Sequence, residues 1–165
     1  MDIILNLTLN NEKATQQFSQ QLAQCTQNIN HAIVIYLEGD LGAGKTTLAR
    51  GFIQSFGFDR VKSPTYSLVE SYQNDIINIH HFDCYRLSDP EELEYIGIRE
   101  YSDSGHIQLI EWAELGKGNI APADLSIHIT GKDNTRKLSI HTHSEFGKQL
   151  LACLGPNSHS NKQHH

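Results

Sequence analysis

Apolar residues recur along this chain with two different periods. From Ile3 to Leu9 the chain alternates in part, with Ile3, Leu5, Leu7 and Leu9 on one face, and reads as a strand. Asn10-Asn11 can then cap a helix over about Glu12 to Gln27, in which Phe18, Leu22 and Cys25 share a stripe. Asn28 to Asn30 closes that helix, and the continuous run Ala32 to Leu37 reads as a buried strand. Leu48, Phe52 and Ile53 return to helical spacing, with a stop at Ser55-Phe56-Gly57. Pro64 biases Val61 to Tyr66 toward an extended loop. Beyond it, Ser67–Tyr72 and Ile76–Phe82 form a predicted hairpin about Gln73-Asn74-Asp75. Asp89-Pro90-Glu91-Glu92 starts a helix ending near Ile96-Gly97, with a capping acid, proline in the first turn and carboxylates at the positive end. Ile107 to Ile110 is a short strand that stops at Glu111-Trp112. Leu125–Thr130 and Lys137–Thr142 flank the turn Gly131-Lys132-Asp133-Asn134 as a second hairpin. Ser144 to Leu154 is a last helix, and the polar residues Gly155 to His165 are expected to be disordered.

Strands alternating with helices specify an α/β sheet. The two hairpins make it a mixed sheet, parallel in the centre and antiparallel at its margins, flanked by helices. The reading is a single domain over residues 1–154, since 165 residues suffice for one real core.

Composition narrows the function. The formal charge is -6, from 13 Lys+Arg against 19 Asp+Glu, which argues against unaided nucleic-acid binding because a phosphate backbone needs a basic surface. No apolar stretch approaches the roughly 20 residues of a membrane helix, and Asp2 stands where a secretory signal carries positive charge. Cys25, Cys84 and Cys153 are odd in number and far apart. They are read as small buried residues of a protein from the reducing cytosol, forming neither a disulfide framework nor a C-x-x-C metal pair.

One stretch carries the chemistry. Gly39-Asp40-Leu41-Gly42-Ala43-Gly44-Lys45-Thr46 lies between the predicted buried strand and the next helix, and it fits the phosphate-binding pattern Gly-x-x-x-x-Gly-Lys-Ser/Thr. Glycines permit the positive φ values that fold backbone amides into an anion-binding nest. The helix dipole adds its positive end. Lys45 can reach the β- and γ-phosphates, the Thr46 hydroxyl can ligate Mg²⁺, and Thr47 continues the cradle. Ligands of such sheets sit at the carboxyl ends of the strands, where this loop lies.

A nucleoside triphosphatase also needs a metal carboxylate, a group near the γ-phosphate and a group that orients water. Asp83 and Glu111 both terminate predicted strands. The more continuous apolar run precedes Glu111, which is assigned the metal together with Thr46; Asp83 is assigned water activation or a supporting role, and the two assignments can be exchanged. Thr65 occupies the loop where GTPase-like proteins place a hydroxyl that senses the γ-phosphate. Trp112, the only tryptophan, directly follows Glu111 and either packs in the core or stacks near the site. His80-His81 lie on opposite faces of a strand and lack metal-ligand spacing. No Asn-Lys-x-Asp motif reads guanine, so adenine is preferred. The five arginines are not clustered as a kinase lid requires. A small-molecule phosphotransferase and a non-catalytic nucleotide-binding adaptor are the rival readings.

Four motifs in order, namely the phosphate loop, Ser63-Pro64-Thr65-Tyr66, His81-Phe82-Asp83-Cys84-Tyr85-Arg86-Leu87 and Ile110-Glu111-Trp112, closely resemble the bacterial tRNA threonylcarbamoyladenosine-synthesis ATPase family, TsaE, also known as YjeE. The similarity covers about residues 1–140. The resemblance implies a P-loop fold with a mixed sheet, Mg²⁺-dependent binding and slow hydrolysis of ATP to ADP, and a cytoplasmic location. It also implies a complex with the threonylcarbamoyl-transferase subunit TsaD and its paralogous partner TsaB, which modifies adenosine 37 of tRNAs that read ANN codons. On it Lys45 and Thr46 fall on the phosphate and Mg²⁺ positions, Glu111 on the metal acid, Asp83 on the strand-end Asp, Thr65 on the switch-like Thr and Trp112 on the Trp beside the metal acid. Asn11 (with the stretch to Thr15) and Lys132 are the candidates for holding adenine.

Overall fold

A computed structural model describes residues 4–40, 43–64, 68–86, 89, 93, 101 and 105–160. Seven strands form one sheet: β1 (Ile4–Leu9), β2 (Ile33–Glu38), β3 (Val69–Gln73), β4 (Asn78–Asp83), β5 (His106–Glu111), β6 (Leu125–Lys132) and β7 (Thr135–Thr142). Helices α1 (Glu12–Gln27), α2 (Lys45–Gln54) and α3 (Glu145–Ser160) complete the regular structure, with short 3-10 turns at Cys84–Arg86 and Ala113–Gly116. The predicted helix at Asp89 to Gly97 lies outside the described residues.

The sheet order is β1-β7-β6-β2-β5-β4-β3. β2 runs parallel to both β5 and β6, and β4 runs parallel to β5. β3, β7 and β1 are antiparallel to their neighbours at the margins. The mixed sheet, parallel at the centre and antiparallel at its edges, is therefore present. Both hairpins form for local reasons. Asn74 Oδ1 accepts from the amides of Ile76 and Ile77, each at 2.9 Å, closing the β3–β4 turn. Asp133 takes φ 59° in the tight β6–β7 turn, so the two strands extend further than their alternation suggested and Lys132 belongs to β6.

Alternation along the central strands separates two cores. Ile33, Ile35 and Leu37 of β2, with Ile107 and Leu109 of β5, pack with Phe18 and Leu22 of α1, Leu48, Phe52 and Ile53 of α2, and Leu150 and Leu154 of α3. Val34, Phe82 and Ile110 point the other way, into a smaller cluster with Cys84, Leu93 and Ala113. α1 begins where expected: Asn11 Oδ1 accepts from the Ala14 amide at 2.8 Å. α3 runs past Leu154 to Ser160; its apolar face ends at Leu154, so no packing pattern marks the extra turn.

The cysteine reading is corrected in one respect. Cys84 is free and buried, and burial pushes its thiol up to about 12, which leaves it inert as expected. Cys25 and Cys153 instead form a disulfide across α1 and α3, with Cα atoms 5.9 Å apart and a sequence separation of 128. The separation hid the pair, because only the packing of α1 against α3 brings the two together. The bond removes the cysteine argument for a reducing compartment. Among the described residues no helix is long and apolar enough to cross a membrane.

The disulfide and the buried histidine stack each have a measurable effect on stability. The 128-residue loop makes the cross-link most effective in the unfolded chain, so Cys153→Ser should lower the unfolding free energy by about 2–4 kcal/mol in urea titrations, and dithiothreitol should do the same to the parent. Equal stability of the oxidised and reduced parent would show that the link is not formed. His80 is buried in a stack with Tyr101 and His106, its Nε2 2.9 Å from His106 Nδ1 and its Nδ1 2.8 Å from Ser71 Oγ. Burial first, then the neighbouring His106, lowers its pKa from 6.5 to about 4. The unfolded chain then binds the proton more readily, so stability contributed above pH 6.5 is lost as the pH falls toward 4. Thermal midpoints should decline over that window, and less steeply in His80→Phe.

Candidate functional site

The carboxyl end of β2 leads straight into the glycine-rich turn. Gly39 has φ 144° and Gly44 φ 106°, both in the region open to glycine. A Cβ on Gly39 would collide with the Ile129 carbonyl oxygen, a backbone atom with no room to yield. The turn is closed by the Ala43 amide donating to Asp40 O at 3.1 Å, and α2 opens with the Leu48 amide on Gly44 O at 3.0 Å. Lys45 and Thr46 therefore occupy the first turn of α2, where amides lack intrahelical partners and attract anions. Leu41 and Gly42 lie outside the described residues, as does Thr65.

Lys45 is only 5% exposed, yet among the described residues its ammonium is not paired with a carboxylate. Nζ donates to Gly39 O at 2.5 Å and sits 4.0 Å from the centroid of the Trp112 ring. Trp112 adopts φ 56°, ψ 43°, a left-handed conformation that a bulky residue takes at a cost of order 1 kcal/mol or more. That turn of the backbone at the end of β5 delivers the indole to Lys45 while the residue also packs against the Val34, Phe82 and Ile110 cluster, so both readings of Trp112, core packing and stacking near the site, describe the geometry. Tyr85, just past β4, meets the same indole at 5.0 Å between ring centroids. A cavity of about 390 Å³ opens here, lined by Gly39, Asp40, Lys45, Trp112, Glu114 and His128, among others.

The two predicted carboxylates lie side by side. In the parallel β4–β5 pairing Asp83 is the register partner of Glu111, and Glu111 is also the partner of Leu37, two residues before Gly39. Glu111 is 3% exposed, and its Oε2 lies 2.6 Å from His81 Nε2. Asp83 is half-buried, and Oδ1 accepts from the Tyr85 amide at 3.0 Å. Burial raises its pKa above the usual carboxylate range; the Tyr85 amide opposes this, the Glu111 charge adds to it, and His81 and Lys45 act against it. Asp83, Glu111, His81 and Lys45 thus form one electrostatic group at the carboxyl edge of the sheet. Neither member of His80-His81 joins a metal cluster: among the described residues no group of three or more His, Cys, Asp or Glu is arranged to hold an ion.

A second, smaller cleft lies on the other side of the turn, lined by Glu12, Thr15, Gly44, Thr47, Asn134 and Arg136. It brings the start of α1 and the β6–β7 hairpin to the glycine-rich turn, which are the two regions named for adenine. The cleft is lined by neighbours of the residues named. Asn11 spends its side-chain oxygen on the α1 cap, while Glu12 and Thr15 line the cleft. Lys132 shares the strand face of His128 and Thr130, and Arg136 reaches the turn, its Nε 2.8 Å from where a Gly44 Cβ would stand. Arg136 is held there by its own hairpin, Nη1 donating to the carbonyls of Asp133 at 2.7 Å and Thr135 at 2.9 Å. Sequence reasoning missed Arg136, and the available signal was its place two residues past the Asp133-Asn134 turn, on the strand face opposite Lys137.

These features define an α/β protein whose strand ends present a glycine-rich turn, two acidic groups and a buried lysine at one edge. Comparisons with known proteins agree on the family. The family described as Threonylcarbamoyl adenosine biosynthesis protein TsaE matches residues 9–138. A Haemophilus influenzae protein named tRNA threonylcarbamoyladenosine biosynthesis protein TsaE is 48% identical over 124 residues, 74% of this chain and 78% of the relative. A Rickettsia prowazekii protein of the same name is 37% identical, covering 81% of this chain and 92% of the relative. The crystal structure of Bacillus subtilis YdiB superposes with a TM-score of 0.77 at 26% identity, over 96% of this chain and 99% of that one. The chain belongs to the TsaE family of tRNA threonylcarbamoyladenosine biosynthesis proteins.

The glycine-rich turn is the part of the site most exposed to a single methyl group. Gly39→Ala should cost about 1–3 kcal/mol in denaturant unfolding, from the positive φ and the clash with Ile129 O. Gly155→Ala, inside α3 and with nothing within 4 Å of its Cβ, is the reference and should be neutral or stabilising by up to about 1 kcal/mol. Equal effects of the two changes would mean that the turn does not hold this conformation.

Proposed function

We propose that this protein is an ATPase that binds ATP with Mg²⁺ across the turn Gly39 to Thr46 and hydrolyses it slowly, as a cytoplasmic component of the machinery that forms N6-threonylcarbamoyladenosine on tRNA. The observation that carries this reading is the β4–β5 register: it sets Asp83 beside Glu111, one strand from the end of β2 where the anion-binding turn begins, with Lys45 in electrostatic reach.

Each residue then has a task. The turn amides and Lys45 bind the phosphates, and a phosphate oxygen offers Nζ a better partner than the Gly39 carbonyl and the Trp112 ring it now uses. The donor set suits Mg²⁺: a hydroxyl (Thr46) and carboxylate oxygens are hard ligands, and an ion that keeps phosphate oxygens and waters in its shell needs only one or two protein oxygens. When bound, it supplies charge neutralisation on the phosphate oxygens. Thr46 and Glu111 would hold it. Asp83 orients the attacking water; its raised pKa makes it a stronger base than an ordinary aspartate. Thr65 orders its loop around the γ-phosphate. The adenosine end lies in the cleft between Glu12, Thr15, Asn134 and Arg136.

Slow turnover by the isolated protein is part of the reading. Arg136 is committed to its hairpin and to the cleft beside Gly44. Among the described residues no arginine lines the Lys45 cavity, and in this reading a partner supplies the transition-state cation. The transferase subunit TsaD and its paralogue TsaB are the proposed partners. tRNA enters through that complex, since this chain carries a net charge of -6. Hydrolysis releases the Thr65 loop and resets the complex.

The test is release of inorganic phosphate from Mg·ATP, measured for this protein alone, with the two transferase subunits, and with tRNA added. Slow release that rises with the partners is expected, and Lys45→Ala should reduce it by about 100-fold or more. Full activity in Lys45→Ala would exclude the assignment. Radiolabel from the γ-phosphate appearing on a small acceptor would make the protein a phosphotransferase, and no turnover with every partner present would make it an adaptor.

A further inference from the structure

His81 has a buried side chain that neither phosphate binding nor water activation uses. It is 1% exposed in the middle of the sheet, on the face that also carries Asp83 and, from the neighbouring strand, Leu109 and Glu111. Its register partner on β5 is Leu109, so the imidazole reaches diagonally along the strand to place Nε2 2.6 Å from Glu111 Oε2. At its other end Nδ1 is buried with no hydrogen-bond partner among the described residues.

A residue that served only to fill space here would be aliphatic. An orphaned ring nitrogen costs of order 1–3 kcal/mol, which a leucine or phenylalanine avoids. What offsets that cost is the short bond to a carboxylate that is itself 3% exposed. With the carboxylate accepting, a hydrogen lies on Nε2. The bond fixes Glu111 in two ways. It occupies Oε2, leaving Oε1 as the oxygen that His81 does not use, and it restricts rotation about the last side-chain torsion, which is otherwise broad for glutamate.

We propose that His81 is a positioning residue for the nucleotide-bound cation: it holds the Glu111 carboxylate in the one orientation that presents Oε1 toward Thr46. This rests on the ATPase reading above, specifically on Glu111 serving the metal. The argument is the one that applies to any ligand carboxylate, whose hydrogen-bonded support sets ligand orientation and whose loss weakens metal affinity by about 10–100-fold.

The experiment measures Mn²⁺ binding to the ADP-loaded protein by electron paramagnetic resonance, together with metal-free ADP affinity and the thermal midpoint of each variant. His81→Leu removes the donor. His81→Gln keeps an N–H donor at nearly the Nε2 position. The expected result is a 10–100-fold weaker Mn²⁺ affinity in His81→Leu, with ADP affinity in chelator unchanged and most of the Mn²⁺ affinity regained in His81→Gln. In a Glu111→Gln background His81→Leu should then produce no further loss. Parent-like Mn²⁺ affinity in His81→Leu, or an equal loss in His81→Leu and His81→Gln, would overturn the role of His81 while leaving the ATPase reading intact. Absence of Mn²⁺·ADP binding in the parent protein would instead remove the reading on which it rests.

Discussion

The parallel pairing of β2 with β5 and of β5 with β4 is the constraint on which the rest depends. Parallel neighbours finish at the same edge of a sheet, so whatever follows each strand is delivered to one place regardless of distance along the chain. Here the turn after Glu38, the acid at position 83 and the acid at position 111 are all strand-end residues of this trio. A one-residue slip of β4 against β5 would move Asp83 to the opposite face and separate it from Glu111. The slip is resisted on both sides at once: Ile79 and Leu109 belong to the helix-side core while Phe82 and Ile110 belong to the other, so no shifted register keeps either core filled.

Polar groups buried at this edge would each be unfavourable alone. Lys45, His81 and Glu111 are all nearly inaccessible, and the structure accommodates them by pairing each with something specific: a carbonyl and an indole face for the ammonium, and one another for the imidazole and the carboxylate. The backbone strain falls in the same region. Trp112 holds a left-handed conformation at the end of β5, and Leu68 does so at φ 63° beside β4, where its carbonyl accepts from the Asp83 amide at 3.0 Å. Strain of this kind persists where surrounding contacts over-determine it, and it concentrates where chemistry is done.

Much of this is legible in the amino-acid sequence, for identifiable reasons. Alternation, partial in β1 and regular in β6, marks those strands, and the Asn10-Asn11 pair marks the start of α1, because these signals are local. Gly39, Gly44 and Lys45 are readable because the turn's backbone geometry admits few residue types. What is not legible depends on packing between distant segments. The Cys25–Cys153 bond needs α1 against α3, the approach of Arg136 to Gly44 needs the hairpin folded over α2, and the bond from His81 to Glu111 needs the β4–β5 register. Sequence spacing does not separate His81 from His80, since neither has a metal ligand's neighbours, and only the third dimension shows that one reaches a carboxylate and the other a second histidine.

The most direct test is a crystal structure of the protein with a non-hydrolysable ATP analogue and Mn²⁺, read by the anomalous signal of the ion. The account predicts one manganese peak between Thr46 Oγ1 and the Glu111 carboxylate, with the triphosphate lying on the amides of Gly39 to Thr46. Phosphates bound anywhere else, or a manganese ion remote from both of those side chains, would contradict it.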